Sequence, residues 1–142
     1  METRILLVDD ERDFVEPLAE RLALRGFQAR TAYSGREALT VISENEIDVV
    51  ILDLMMPGLS GSETLRLIKE ENPLVQVIML TGKATVSAAI EDMKLGAYDF
   101  LMKPADIGEL VKKVNGARKV KAEHEERIRE ADIGEIVGKM AW

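Results

Sequence analysis

Short apolar runs and longer amphipathic stretches take turns along this chain. Ile5-Leu6-Leu7-Val8 is apolar without a break, as is Val49-Val50-Ile51-Leu52, which follows Ile47-Asp48. Val75-Gln76-Val77-Ile78-Met79-Leu80 and Tyr98-Asp99-Phe100-Leu101-Met102 are nearly so. Runs of this length that do not alternate predict strands buried on both faces, as in a parallel sheet covered by helices. Phe27-Gln28-Ala29-Arg30-Thr31-Ala32 alternates weakly and predicts one more strand.

Helical spacing fills the gaps between these runs. From near Arg12, the positions Phe14, Val15, Leu18, Leu22 and Ala23 share a face up to Gly26, and Pro17 in the second turn should bend that helix. Ser34 and Glu37 have capping-box spacing ahead of Ala38, Leu39, Val41 and Ile42, and this helix ends near Asn45. Ser60 or Ser62 can cap a helix through Leu65, Leu67 and Ile68 that stops at Asn72-Pro73. A helix from Thr85 to Leu95 turns Val86, Ala89, Ile90 and Met93 to one side, and Gly96 terminates it. A last long helix starts at Asp106, with Glu109 three residues on. Strand and helix therefore alternate throughout, which predicts a five-stranded parallel doubly wound sheet of flavodoxin-like α/β type with right-handed crossovers.

Composition adds few constraints. A chain of 142 residues with 46% apolar and 32% charged positions is expected to form one domain that buries roughly two-thirds of its unfolded surface. It has no cysteine, so disulfide and thiolate chemistry are excluded, and a cytoplasmic location is expected. The amino terminus is unlike a signal peptide, and no run approaches the ~18 apolar residues of a membrane span. A net charge of -7 argues against a nucleic-acid surface.

The chemistry lies where the strands stop. The predicted strands end in Asp9-Asp10, in Asp53, in Thr81 and in Lys103. In a parallel sheet these ends share one edge, so three carboxylates, a hydroxyl and an ammonium converge there. Clustered carboxylates raise one another's pKa unless a cation neutralises them. Oxygen ligands without histidine or cysteine point to a hard cation such as Mg²⁺. An aspartate beside such a cation and a lysine can act as nucleophile toward a phosphoryl group. Taken singly, each residue has a plainer reading: a helix cap for the aspartates, a solvated lysine, a core phenylalanine at Phe100. Their convergence is what singles out the set.

With Met56-Pro57-Gly58 after Asp53, Gly82 after Thr81, and Gly96-Ala97-Tyr98-Asp99-Phe100 ahead of Lys103-Pro104, the chain resembles the receiver domain of two-component response regulators over about residues 3 to 120. In detail it is most similar to receivers of NtrC-like regulators, which are attached to ATPase activators of transcription. The resemblance implies Asp53 as the phospho-acceptor from a histidine kinase or phosphotransfer protein. It implies Mg²⁺ on Asp9, Asp10, Asp53 and the backbone carbonyl of Met55. Thr81 would hydrogen-bond the phosphoryl group and Lys103 would pair with it. Thr81 and Phe100 would form the switch, altering the face of the fourth helix, fifth strand and fifth helix toward a downstream protein target or, on phosphorylation, a homodimer. The Lys103-Pro104 bond is expected to be cis. The implied protein is a signalling switch rather than an enzyme, with intrinsic Mg²⁺-dependent autophosphorylation and slow autodephosphorylation. Slow hydrolysis is expected because Met55 and Lys83 occupy places where an amide or acid would orient water.

The remaining residues are less informative. The receiver is expected over 1–120, and 121–142 as a helical tail or the start of a linker. Alternating charge from Lys119 to Glu130 predicts an exposed helix. Ala131-Asp132-Ile133-Gly134-Glu135 then nearly repeats Ala105-Asp106-Ile107-Gly108-Glu109, which predicts a second short helix with Ile133, Ile136, Val137 and Met140 on one face and Trp142 as an anchor. His124, the lone histidine, precedes Glu125-Glu126-Arg127 in a faint likeness to a kinase phospho-box, and reads better as a solvated helix residue. No output module is visible, which leaves a stand-alone receiver or the receiver piece of a longer regulator. Binding to membrane or directly to nucleic acid is not expected.

Overall fold

β1 (Arg4–Val8) is followed by α1 (Arg12–Leu24), β2 (Gln28–Ala32), α2 (Gly35–Glu44), β3 (Val49–Asp53) and α3 (Gly61–Glu71). Then come β4 (Gln76–Thr81), α4 (Val86–Lys94), β5 (Asp99–Met102) and α5 (Ile107–Met140). A 3-10 turn, Lys83–Thr85, leads into α4. The computed structural model describes residues 2–140, and only the backbone at 136, 137, 139 and 140. All strands are parallel and lie in one sheet in the order β2-β1-β3-β4-β5. From β1 the chain winds first to one side and then to the other, so the switch point lies between the carboxyl ends of β1 and β3.

The unbroken apolar runs have a direct cause. Successive side chains of a strand point to opposite faces. Ile5, Leu7, Val49, Ile51, Ile78 and Leu80 pack against α1 and α5. Their neighbours Leu6, Val8, Val50, Leu52, Val77 and Met79 pack against α2 and α3. Both faces are covered, so the middle positions of the central strands are all apolar. Each such side chain contributes about 1.5–3 kcal/mol by burial.

Local signals set the helix starts. Ser34 Oγ accepts from Glu37 N–H at 3.1 Å, Ser60 Oγ from Glu63 N–H at 3.2 Å, and Asp106 Oδ2 from Glu109 N–H at 3.0 Å. Of the two serines offered for α3, Ser60 is thus the cap. α1 continues across Pro17 without a break.

α4 buries Ala89 as predicted but departs from the predicted face at Ile90 and Met93. Its buried residues are Ala89 and Asp92, whereas Ile90 and Met93 are 49% and 37% exposed. Ala89 and Asp92 lie on one face, three residues apart. Asp92 can be buried because Ser62 Oγ donates to its Oδ2 at 3.0 Å, and burial raises its carboxyl above the usual range.

The tail also differs. No second helix starts near residue 131: α5 runs unbroken from Ile107 to Met140. With no proline there, Asp132 and Gly134 weaken the helix without ending it. Residues 126–135 are exposed all round, so the helix leaves the domain. Ile133 is among them, at 57% exposure. The side chains of Ile136, Val137 and Met140, and the whole of Trp142, lie outside the described residues. α5 is tied to the amino end of the sheet just before it leaves. Asp48, fully buried ahead of β3, accepts from Arg4 N–H (2.8 Å), Arg4 Nε (3.1 Å) and Lys121 Nζ (2.8 Å). Burial opposes ionisation of Asp48, but these bonds outweigh it and hold its carboxyl well below the usual carboxylate range. Among the described residues, no helix is long and apolar enough to cross a membrane.

Candidate functional site: an acidic cluster at the carboxyl edge of the sheet

Ladder bonds that run past the strand ends deliver the site residues to one place. Asp9 N–H donates to Ala32 O at 3.1 Å, Leu54 N–H to Leu80 O at 2.9 Å, and Lys103 N–H to Thr81 O at 2.9 Å. Asp9, Asp10 and Asp53 each offer a carboxylate oxygen within 4.8 Å of the others. Asp9 and Asp53 are buried and Asp10 is exposed. Lys103 Nζ reaches in from β5, 2.7 Å from Asp9 Oδ2 and 3.4 Å from Asp53 Oδ1. The Lys103-Pro104 peptide bond is cis.

The two oxygens of Asp9 differ. Oδ1 accepts from Glu11 N–H at 3.0 Å, which fixes the carboxylate. Oδ2 is buried and faces the Lys103 ammonium at 2.7 Å as an ion pair, with no other partner among the described residues. A buried oxygen of that kind, beside two more carboxylates, fits a hard divalent cation. The charges are already strained against one another. Burial, then repulsion from Asp9, pushes the Asp53 carboxyl up to about 6, although Lys103 pulls it down. Burial pulls the Lys103 ammonium down, but bonding and attraction from Asp9 and Asp53 leave it above its usual value.

The backbone behind Asp53 is tightly constrained. A Cβ on Gly61 would meet the carbonyl of Asp53, and would lie 2.7 Å from Leu54 Cα and 2.9 Å from Leu54 O. Gly61 N–H donates to Leu54 O at 3.1 Å, pinning the first turn of α3 to the loop after Asp53. Gly58, in that loop, has φ of +76°, a left-handed conformation that suits glycine.

Thr81 is buried at the end of β4, and its hydroxyl is engaged by Thr85 Oγ1 at 2.5 Å and the Gly82 carbonyl at 3.1 Å. Phe100 is half-buried against the α2–α3 face of the core, opposite Met79 in the sheet register. Met55 exposes its side chain at the start of the loop, and Lys83 is exposed in the 3-10 turn.

Two neighbours of Lys103 were not singled out from the sequence. Glu11 Oε1 lies 3.2 Å from its Nζ, and the ammonium sits 4.5 Å over the Phe14 ring. Glu11 directly follows Asp9-Asp10, a signal that was available. Phe14 has the spacing of an ordinary core residue and carries none.

Comparison with known proteins decides the family. The model of the response regulator receiver domain matches residues 5–115. The chain belongs to this receiver family. The receiver is 37% identical over 107 residues to the regulatory protein AtoC of Escherichia coli, covering 75% of this chain and 23% of that protein. It is 35% identical over 139 residues to the response regulator SaeR of Staphylococcus epidermidis, covering 96% of this chain and 60% of that protein. Among solved structures, a response regulator receiver domain protein from Clostridium thermocellum is similar with a TM-score of 0.81 and 39% identity. That match covers 84% of this chain and 97% of that one. The chain therefore spans between about a quarter and three-fifths of the length of these curated relatives. As a receiver it is a component of two-component signalling.

Proposed function

We propose that Asp53 accepts a phosphoryl group from the phosphohistidine of a histidine kinase or phosphotransfer protein, and that the receiver changes its partner binding in response. The single observation that carries this reading is the convergence of Asp9, Asp10, Asp53 and Lys103 at the switch point of the sheet. Mg²⁺ would be held by Asp9, Asp10, Asp53 and the Met55 carbonyl; when bound it supplies charge neutralisation to the acids and to phosphoryl oxygens. Asp53 presents an oxygen as nucleophile to phosphorus, and the bond from phosphorus to the histidine nitrogen breaks as the new one forms. Lys103 pairs with a phosphoryl oxygen, which suits a step whose main need is charge stabilisation. With low-molecular-weight phosphodonors the same steps give autophosphorylation.

The phosphoryl group adds about -1.5 to -2 charges and new acceptor oxygens. Thr81 turns its hydroxyl toward them and vacates space, and Phe100 moves inward. The surface of α4, β5 and α5 then differs in shape, which biases binding of a downstream protein or a second receiver. Exposed Ile90, Met93, Leu95 and Met102 give that surface its apolar character. We take the receiver proper as residues 1–120 and the helical extension as 121–142.

Intact-mass measurement after acetyl phosphate and Mg²⁺ tests this. Wild type is expected to gain one phosphoryl mass and Asp53→Asn none. Equal gain by both, or gain by neither, overturns the reading.

A further inference from the structure

Thr85 occupies the N-cap position of α4, yet its side chain makes no capping bond. A threonine there ordinarily accepts from an N–H of the first turn. The Thr85 hydroxyl instead turns back across the 3-10 turn. Its Oγ1 lies 2.5 Å from Thr81 Oγ1, and it donates to the Gly82 carbonyl at 3.2 Å. Thr81 also has that carbonyl within reach, at 3.1 Å. Two hydroxyls and one carbonyl thus form a small closed set, in which one hydroxyl donates to the other and the second donates to Gly82. Thr81 is fully buried, so this set is screened from water on its inner side.

We propose that Thr85 is a positioning residue that latches Thr81 in its resting orientation and so sets how readily the site converts to its phosphorylated form. This rests on the reading of Thr81 given above. The Thr81 hydroxyl has one proton, and a phosphoryl oxygen would claim it. Turning Thr81 away from Thr85 breaks the contact between the two hydroxyls, and that loss opposes activation. Thr85 also stands where the 3-10 turn meets α4, so release of the latch frees that turn. The charge state of Asp53 is in this way passed to the base of α4 through one hydrogen bond.

Beryllofluoride with Mg²⁺ serves as the phosphoryl mimic, and its apparent Kd is measured by calorimetry on the full chain. Thr85→Val keeps the shape and removes the hydroxyl. It is expected to tighten binding about three- to tenfold, the worth of one neutral hydrogen bond. Thr85→Ser is expected to bind as wild type does. In a Thr81→Val background, Thr85→Val is expected to change nothing. The latch is overturned if Thr85→Val binds no tighter than wild type, if Thr85→Ser behaves like Thr85→Val, or if the gain persists undiminished in the Thr81→Val background. Should Thr81→Val not fold, the valine and serine variants decide between themselves. Wild type that binds no beryllofluoride sinks the functional reading and the latch together; wild type that binds with no effect of Thr85 sinks the latch alone.

Discussion

Lys121 Nζ lies 2.8 Å from Asp48 Oδ1 and so joins the middle of α5 to the amino end of β3. Lys121 is only 8% exposed although it lies within the stretch of alternating charge that predicted an exposed helix. Arg4 shares the same carboxylate, so Asp48 binds β1, β3 and α5 together. Removing one partner of a buried pair leaves an uncompensated charge. Asp48→Asn is therefore expected to lower stability by about 3 kcal/mol or more. Lys121→Met leaves Arg4 in place and is expected to cost about 1–3 kcal/mol. Urea denaturation at pH 7 reads both. The Asp48 carboxyl is depressed in the fold, so its contribution is present above its ordinary value of 3.8 and is lost as pH falls below that.

Asp53 has the opposite sign. Its carboxyl titrates near 3.8 when unfolded and near about 6 in the fold. Between those values the folded chain holds a proton that the unfolded chain lacks, so metal-free stability falls as pH rises through that window. Asp53→Asn is expected to stabilise the chain by about 1–3 kcal/mol at pH 7 in EDTA and to flatten this slope. Denaturation curves at several pH values check it. Equal stability of wild type and variant at pH 7 would remove the strain inferred at the cluster.

Once formed, the phosphoaspartate is expected to last minutes or longer. Met55 is apolar and Lys83 is a cation, and neither side chain can orient water as a base. Met55→Asn is expected to shorten the lifetime at least a few-fold. Intact mass followed over time, after removal of acetyl phosphate, measures both. A wild-type half-life of seconds contradicts the expectation.

Gly61→Ala places a methyl group against Leu54 Cα and the Asp53 carbonyl. Backbone atoms cannot yield as a side chain would, so α3 must shift away from the loop that follows Asp53. The expected cost is about 1–3 kcal/mol in denaturation. Slower uptake of phosphoryl from acetyl phosphate should accompany it. A variant as stable as wild type would show that the loop is free to adjust.

The site was legible because a parallel sheet brings its strand ends to one edge, so Asp9, Asp53, Thr81 and Lys103 could be grouped from position alone. The strands were legible for a related reason: burial on both faces removes polar residues and leaves unbroken runs. Where packing rather than periodicity decides, the sequence was less informative. Ile90 and Met93 have core spacing, yet it is Asp92 that joins Ala89 on the buried face because Ser62 satisfies the acid. Asp48 and Lys121 look like surface charges, and their pairing across 73 residues, with Arg4 on the same carboxylate, makes burial tolerable. The contact between Thr81 and Thr85 depends on hydroxyl orientation, which residue spacing does not determine.

α5 is a helix of 34 residues, about 50 Å long at ~1.5 Å per residue. Asp48 grips it at Lys121, so the remainder projects as a stiff lever with its fulcrum on the sheet. A tilt of about 10° at that fulcrum would carry Met140 through about 5 Å, given the ~1.5 Å rise of each residue. Displacements too small to register within the domain are thereby magnified at its far end.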